Sequence, residues 1–331
     1  MMKIAVVILN WNGSDLLRKF LPSVVQFSLD ADIYVADNAS TDNSIAVLET
    51  DFPSVKIIHN ERNFGFATGY NQALKKVDAD IFVLLNSDVE VTQNWLKPII
   101  AEFENNPNTA IIQPKILDQK NKEYFEYAGA AGGFIDQYGY PFCRGRLFDT
   151  IEKDQKQYQD DCEIFWASGA CLFIRASVYN ELGGLDDDFF AHQEEIDLCW
   201  RAFNAGYQAK YVAHSTVYHV GGATLQQGNP RKTYLNFRNS LYMLLKNLPA
   251  SKLLPVIFLR LVLDGIAGIQ FILQGKITHC MAIVNAHFSF YGAFSKNFKK
   301  RKGPQSSKYY KVNSIVYKYF WQKRRNFTEL F

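Results

Sequence analysis

The chain opens with an unbroken apolar run over residues 4–9 that stops at Asn10, the pattern of a strand buried on both faces. A turn at Asn12-Gly13 follows, and Leu16, Leu17, Phe20 and Leu21 then recur at helical spacing from Ser14. The alternation continues with a strand over 33–36 ending at Asp37, a helix over 44–48 and a third strand over 55–58. A helix over 72–77 and a fourth strand over 81–85, ending at Asn86, complete it. Strands and helices alternating at this spacing predict a parallel sheet. The polar loops that begin at Asn10, Asp37, Asn60 and Asn86 all leave strand C-termini, the edge at which open α/β sheets bind ligands.

Farther along the pattern changes. Residues 111–165 are irregular and rich in Gly and Tyr, which reads as loops and short strands over one side of the sheet, and 210–217 reads as a further strand. From 253 to 275 apolar residues dominate, but Arg260, Asp264, Gln270 and Gln274 interrupt them before any run reaches the ~18 residues of a spanning helix. At about 100° per residue these four fall within one stripe about 120° wide, so the helix should lie in a membrane interface or pack on another helix. The chain thus divides into an α/β domain over 1–245 and an amphipathic helical region with a basic aromatic tail over 246–331.

Composition narrows the class. With 48% hydrophobic and 21% charged residues among 331, the chain is neither disordered nor collagen-like; its 15% aromatic content fits a deep core, a ring-lined cleft or membrane contact. The net charge of +3 hides an asymmetry: residues 296–331 carry +10, leaving −7 on residues 1–295. Such a tail suits an anionic surface, phospholipid or nucleic acid, and the neighbouring apolar stretch favours phospholipid. Five cysteines without C-x-x-C spacing argue against a zinc or thiol-redox site and for a reducing compartment. The first apolar run is shorter than a signal-peptide core, so a cytoplasmic location is expected.

Candidate chemistry sits at the strand ends. Asp37 can accept hydrogen bonds from ribose hydroxyls or a base N–H, although Ser40, Thr41 and Asp42 beside it also make a helix N-cap. Two glycines and two amides in 63–71 precede a helix, where backbone N–H groups bind a diphosphate or the chain merely turns. Asp88, just past the fourth strand, can hold Mg²⁺ or Mn²⁺ by one oxygen or stand in a polar turn. On a helix beginning near Glu194, helical spacing puts Glu194, Asp197 and Arg201 along one face and Glu195 on another. One carboxylate can then be paired structurally while its neighbour faces a ligand; acids also gather at helix starts for the dipole alone. His219 ends a strand and is followed by Gly221 and Gly222, which let the backbone approach a ligand closely. Arg231, Lys232, Arg238 and Asn239 form a basic group on a helix, a phosphate or acceptor contact or a solvated surface.

Taken in order, V-V-I-L-N-W-N-G from Val6, D-N-A-S-T-D from Asp37, N-x-G-F-A-x-G-x-N from Asn63, L-N-S-D ending at Asp88, G-G-L-D-x-x-F-F from Gly183, E-E-I-D-L-C-W-R from Glu194 and H-V-G-G from His219 resemble the family 2 glycosyltransferases, especially the bacterial rhamnosyltransferase-like branch. The resemblance implies the GT-A fold, a Rossmann-like, mostly parallel sheet flanked by helices. It implies that Asp37 binds the nucleoside with Asn10 and Asn12, and that Asn63, Gly65, Gly69, Asn71 and Asn86 shape the nucleotide-sugar site. Asp88 would hold the metal, with Asn86 standing where the family's Asp-x-Asp has its first acid, and His219 would join the metal or diphosphate. Glu195 takes the place of the catalytic base, with Glu194 and Asp197 as alternatives.

The expected activity is an inverting, Mg²⁺- or Mn²⁺-dependent transfer of rhamnose or another hexose from a nucleotide sugar to a hydroxyl of a lipid-linked or cell-surface glycan. The amphipathic segment and basic tail would place it on the inner face of the plasma membrane, with no nucleic acid partner. Two other readings compete: a sugar nucleotidyltransferase, although residues 10–14 lack the Arg or Lys expected for triphosphate binding, and a catalytically silent glycan- or nucleotide-sugar-binding subunit.

Overall fold

A computed structural model describes residues 2–221 and 228–331; Gly222 of the H-V-G-G segment lies outside them. The first elements are β1 (Ile4–Asn10), α1 (Ser14–Phe27), β2 (Asp32–Asp37), α2 (Ser44–Asp51), β3 (Lys56–His59), α3 (Gly65–Leu74), β4 (Ile81–Asn86), β5 (Val89–Val91) and α4 (Leu96–Asn105). Then come β6 (Thr109–Asp118), the short strands β7 (Gly133–Ile135), β8 (Pro141–Cys143), β9 (Arg146–Leu147), β10 (Thr150–Ile151) and β11 (Cys162–Ile164), and β12 (Cys171–Arg175). The remainder comprises α5 (Ala176–Glu181), α6 (Glu194–Asn204), β13 (Gln208–His219), α7 (Pro230–Asn247), α8 (Ala250–Leu273), α9 (Ile277–Gly292) and α10 (Phe294–Phe298).

The main sheet runs β3-β2-β1-β4-β12-β6-β13-β11, with β5 pairing β13. Strands β1 to β4 are mutually parallel as the alternation predicts, and β12 enters antiparallel between β4 and β6. Period-2 alternation divides the apolar β1 run between two layers. Val6 and Ile8 pack with Leu17, Leu21, Val47 and Ile99 of α1, α2 and α4, whereas Ala5 and Val7 pack with Tyr70 and Ala73 of α3. Register sets Asn10 beside Asp37 and Leu9 beside Asn86, so the polar strand ends line one edge.

Three elements differ from the sequence expectation. The glycine segment 63–71 is helix for most of its length: α3 begins at Gly65, and Gly69 lies where a Cβ would come 2.9 Å from the Asn38 amide and 3.1 Å from Leu9. Its glycines admit close packing against β1 and the β2 loop, and most of its amides are spent on the helix. The stretch read as irregular from 111 starts inside β6, a central strand buried over nearly all of its ten residues. Gln113, Pro114 and Lys115 disguise it. Gln113 is satisfied by the Gly129 carbonyl and the Ser168 amide, Lys115 pairs with Asp154 at 3.1 Å, and Pro114 stands where β13 shifts register between Val212 and Thr216.

The third difference is α8, a continuous 24-residue helix whose most apolar 18-residue window has a mean hydropathy of 2.0, long and apolar enough to cross a membrane. Half of its polar stripe, Arg260 and Asp264, is turned inward, whereas Gln270 and Gln274 are exposed. Arg260 donates to the Tyr138 carbonyl and to Ser240, and Asp264 receives His287 of α9 at 3.2 Å, while Leu254, Phe258, Ile266, Ile269 and Leu273 face outward. The aromatic tail is folded onto the body. Tyr309, Val312, Ile315, Tyr319, Phe327 and Leu330 are buried, and Asp136 accepts from the Ile315 amide at 3.0 Å.

Candidate active site

At the sheet's C-terminal edge, the Asn10 amide donates to Asp37 Oδ1 and to Ser40 Oγ, both at 3.2 Å, and Asp37 Oδ2 accepts the Ser40 amide. Asn12 Oδ1 accepts the Thr41 amide at 2.7 Å. These bonds lock the loops after β1 and β2 together, leaving Asn10 Oδ1 buried and unpartnered and Asp37 with spare lone pairs at the mouth of the sheet. Asn63 Oδ1 accepts from the Gly65 amide and the Asn38 side chain, beginning α3 beside the same edge. Gly65 holds φ +75°, and a Cβ there would lie 2.6 Å from the Phe190 ring; the Phe66 amide donates to the Phe190 carbonyl. That contact ties α3 to the segment leading into α6.

Next along the edge, Asn86, Asp88 and His219 meet. His219 Nε2 lies 3.1 Å from Asp88 Oδ1 and 3.4 Å from the Asn86 amide nitrogen, and the other ring nitrogen faces Glu126 at 3.4 Å. Burial disfavours a charged imidazole, but the carboxylates on either side push its pKa up to about 10, so a cation taking Nε2 would displace a proton from it. Glu126 was not distinguished by the sequence, where it stands in the irregular stretch with no motif to mark it. Among the described residues no three His, Cys, Asp or Glu form a ready-made metal cage. A carboxylate and an imidazole supply two ligands of the kind that Mn²⁺ accepts, and such an ion needs further oxygens from a diphosphate or water.

Glu194 and Glu195 open α6 and point to different surroundings. Glu194 is buried, and burial together with its neighbour Glu195 pushes its pKa well above the carboxylate range. Glu195 is also raised, first by burial, against the pull of the backbone amides of Gly169, Gln193 and Ile196. Its carboxyl carbon is 3.8 Å from where a side chain on Gly169 would begin, and the carbonyl of the next residue, Ala170, accepts the backbone N–H of Asn86. Glu195 thus stands one residue along β12's approach from the Asn86–Asp88 end of β4. Its Oε2 has no partner, which leaves an acceptor free to take a proton.

Four predicted site residues are otherwise engaged. Asp197 is buried and bonded to Lys246, Arg201 and Asn247, each at 2.8 Å, so its charge is spent in an interior ion pair and it offers no free oxygen to a substrate. The Asn71 side chain is fully used by Leu185, Asp187 and Tyr179. The Arg238 guanidinium donates to the carbonyls of Asp188 and Phe189, and the Asn239 amide to those of Phe189, Ala191 and His192. These three residues hold the loop before Glu194 rather than a phosphate or sugar. That loop is strained, with Phe190, His192 and Gln193 all at positive φ. A cavity of about 630 Å³ lined by Asp80, Glu104 and Arg175 lies by the N-terminal end of β4, the edge opposite this chemistry.

A mostly parallel sheet with an acid beyond β4, a histidine ending the long strand and carboxylates at α6 defines a GT-A glycosyltransferase, an enzyme class that uses nucleotide-sugar donors. Residues 5–183 match the model of glycosyl transferase family 2, and the chain belongs to that family. It is 24% identical over 230 residues to the N-acetylglucosaminyl-diphospho-decaprenol L-rhamnosyltransferase of Mycobacterium tuberculosis, covering 65% of this chain and 75% of that protein. The low-salt glycan biosynthesis hexosyltransferase Agl10 of Haloferax volcanii is 22% identical over 204 residues, covering 60% and 61%. In fold the chain is similar to Staphylococcus aureus TarS 1–349 in complex with UDP-GlcNAc, with a TM-score of 0.59 at 14% identity over 91% of this chain and 84% of that one. GalNAc-T7 with UDP, GalNAc and Mn²⁺ gives 0.60 at 17% identity over 76% of this chain, which spans 49% of that longer one.

Proposed function

We propose that the protein is an inverting glycosyltransferase that passes a hexose or deoxyhexose, rhamnose being the leading candidate, from a nucleoside diphosphate sugar to a hydroxyl of a lipid-linked glycan. The supporting observation is the Glu195 carboxylate, buried with Oε2 unpartnered and set against Gly169 beside the β4 end that carries Asp88. Asn10, Asn12 and Asp37 receive the nucleoside, and Asn63, Gly65, Gly69 and Asn86 shape the donor pocket. Asp88 and His219 would hold a divalent cation, Mn²⁺ suiting the imidazole donor better than Mg²⁺. When bound, that ion offsets the charge growing on the departing diphosphate. Glu195 takes the proton of the acceptor hydroxyl as its oxygen attacks the anomeric carbon from the face opposite the diphosphate, so the configuration inverts.

The acceptor's lipid and the membrane are read from α8 and α9, whose outward side chains are mostly apolar, among them Leu254, Phe258, Ile266 and Ile269 of α8 and Met281 and Phe288 of α9. The catalytic module over 1–245 is thereby held at the inner leaflet by the region 246–331. The test is transfer from a panel of nucleotide sugars to polyprenyl diphosphate-linked acceptors, with anomeric configuration read by NMR. Inverted product, lost in Glu195→Gln, is expected; full activity in that variant would remove Glu195 from the base role.

A further inference from the structure

The H-V-G-G segment has a physical reason that the donor site does not supply. Gly221 holds φ +71°, and a Cβ on it would sit 2.9 Å from Glu126 Oε1, so the backbone after His219 closes on a carboxylate of the protein itself. Glu126 is 3% exposed, and its other oxygen accepts the Ala128 amide at 2.6 Å. Oε1 is left facing His219 Nδ1 at 3.4 Å, and Nδ1 has no hydrogen-bond partner among the described residues. The two nitrogens of an imidazole point apart, so a group at Nδ1 cannot share an ion with Asp88 at Nε2.

We propose that Glu126 is a positioning residue that accepts Nδ1–H of His219 and so fixes the ring and the tautomer that presents Nε2 toward Asp88, with Gly221 present to admit its carboxylate. This rests on the reading of Asp88 and His219 as cation ligands. A carboxylate behind a ligating histidine holds the ring's orientation and raises its basicity, and losing such a partner typically costs about 10–100-fold in metal affinity.

The test is Mn²⁺ titration of the full chain with UDP, followed by the EPR signal of free Mn²⁺, on wild type, Glu126→Gln, Gly221→Ala and Asp88→Asn. Circular dichroism melts identify any variant that fails to fold. Glu126→Gln should bind Mn²⁺ about 10–100-fold more weakly, Gly221→Ala should weaken it in the same direction, and Asp88→Asn should abolish it. With Mg²⁺ and UDP, ¹⁵N spectra of wild type should show His219 protonated at Nδ1, and Glu126→Gln should show mixed tautomers. If Asp88→Asn loses Mn²⁺ while Glu126→Gln keeps wild-type affinity and one tautomer, the role of Glu126 is overturned and the cation site stands. If Asp88→Asn binds normally, the cation reading itself fails. Should Glu126→Gln not fold, Gly221→Ala and the wild-type tautomer decide the matter.

Discussion

The Asn239 side-chain amide donates to the His192 carbonyl at 2.8 Å, across 47 residues of chain, and thereby holds a residue at φ +72° three positions before Glu195. Because the same amide also reaches the carbonyls of Phe189 and Ala191, the base rests on a strained loop clamped from α7. Asn239→Ala should destabilise the fold by about 1–3 kcal/mol, the cost of leaving buried carbonyls unpaired, as measured by urea denaturation. It should also lower kcat more than it raises donor KM, since the loop aims Glu195 rather than binding the nucleotide.

Glu195 should impose a pH profile. Its pKa is raised by burial, and only the ionised form can take a proton, so kcat should fall on acidification with a midpoint above the ~4.3 of an ordinary glutamate. Linkage gives stability the opposite sign. A folded-state pKa above the unfolded one contributes stability at low pH that is lost as pH rises through it. Inactive Glu195→Gln should therefore gain thermal stability relative to wild type as pH is raised from 5 to 8; a constant difference in melting temperature would contradict the buried, raised carboxyl.

Asp197 and Lys246 form an interior pair at 2.8 Å, and Lys246 also holds Asp186 at 2.6 Å. Burial opposes the Asp197 charge, but Lys246 and Arg201 outweigh it and keep the carboxylate ionised. Lys246→Ala removes a partner shared by two buried carboxylates, leaving Asp197 to Arg201 and Asn247 and Asp186 to Lys300, and should cost about 1.5–3 kcal/mol of stability in chemical denaturation. If Asp197 served as the base, Asp197→Asn would lose transfer at temperatures well below its melting point; retained turnover is expected there.

The basic tail should behave as structure before it behaves as a membrane anchor. Lys300 bonds Asp186 at 2.5 Å and Asp188 at 2.7 Å, Lys296 bonds Asp188 at 2.6 Å, and Phe327 packs with Phe134 and Phe142. Removing residues 296–331 should lower the melting temperature and expose dye-binding apolar surface. A truncated chain that melts like the full one would show that these contacts contribute nothing.

Membrane attachment should instead follow α8. Phe258 and Leu254 are 70% and 73% exposed on its outer face, while Arg260 and Asp264 are turned into the protein. Phe258→Glu with Ile266→Glu should reduce sedimentation with anionic liposomes while donor binding in solution is unchanged. Undiminished sedimentation would place the contact elsewhere.

Much of the donor edge was legible in the sequence because a buried parallel strand shows as a continuous apolar run and its polar end is abrupt: Asn10, Asp37 and Asn86 lie at the ends of β1, β2 and β4 as that pattern predicts. The Glu194–Glu195 division was legible too, since helical spacing alone separates their directions. Strand β6 was not, because Gln113 and Lys115 are polar residues whose partners lie far along the chain at Ser168 and Asp154. Nor was Glu126, whose meaning depends on β13 bringing His219 against it.

The order of apolar runs and their polar terminations determined the parallel β1–β4 half of the sheet and its chemistry-bearing edge, since those features depend on neighbours a few residues apart, and the ordered motifs at the strand ends pointed to the family. Which side chains are free to act was decided only by tertiary structure. Asp197, Asn71, Arg238 and Asn239 carry groups fit for substrate, yet each is consumed by partners 1 to 116 residues away, whereas Glu195 keeps an unpaired oxygen. A polar atom's availability is a matter of what else reaches it in space, and hydrogen bonds form between atoms within about 3 Å regardless of their separation along the chain.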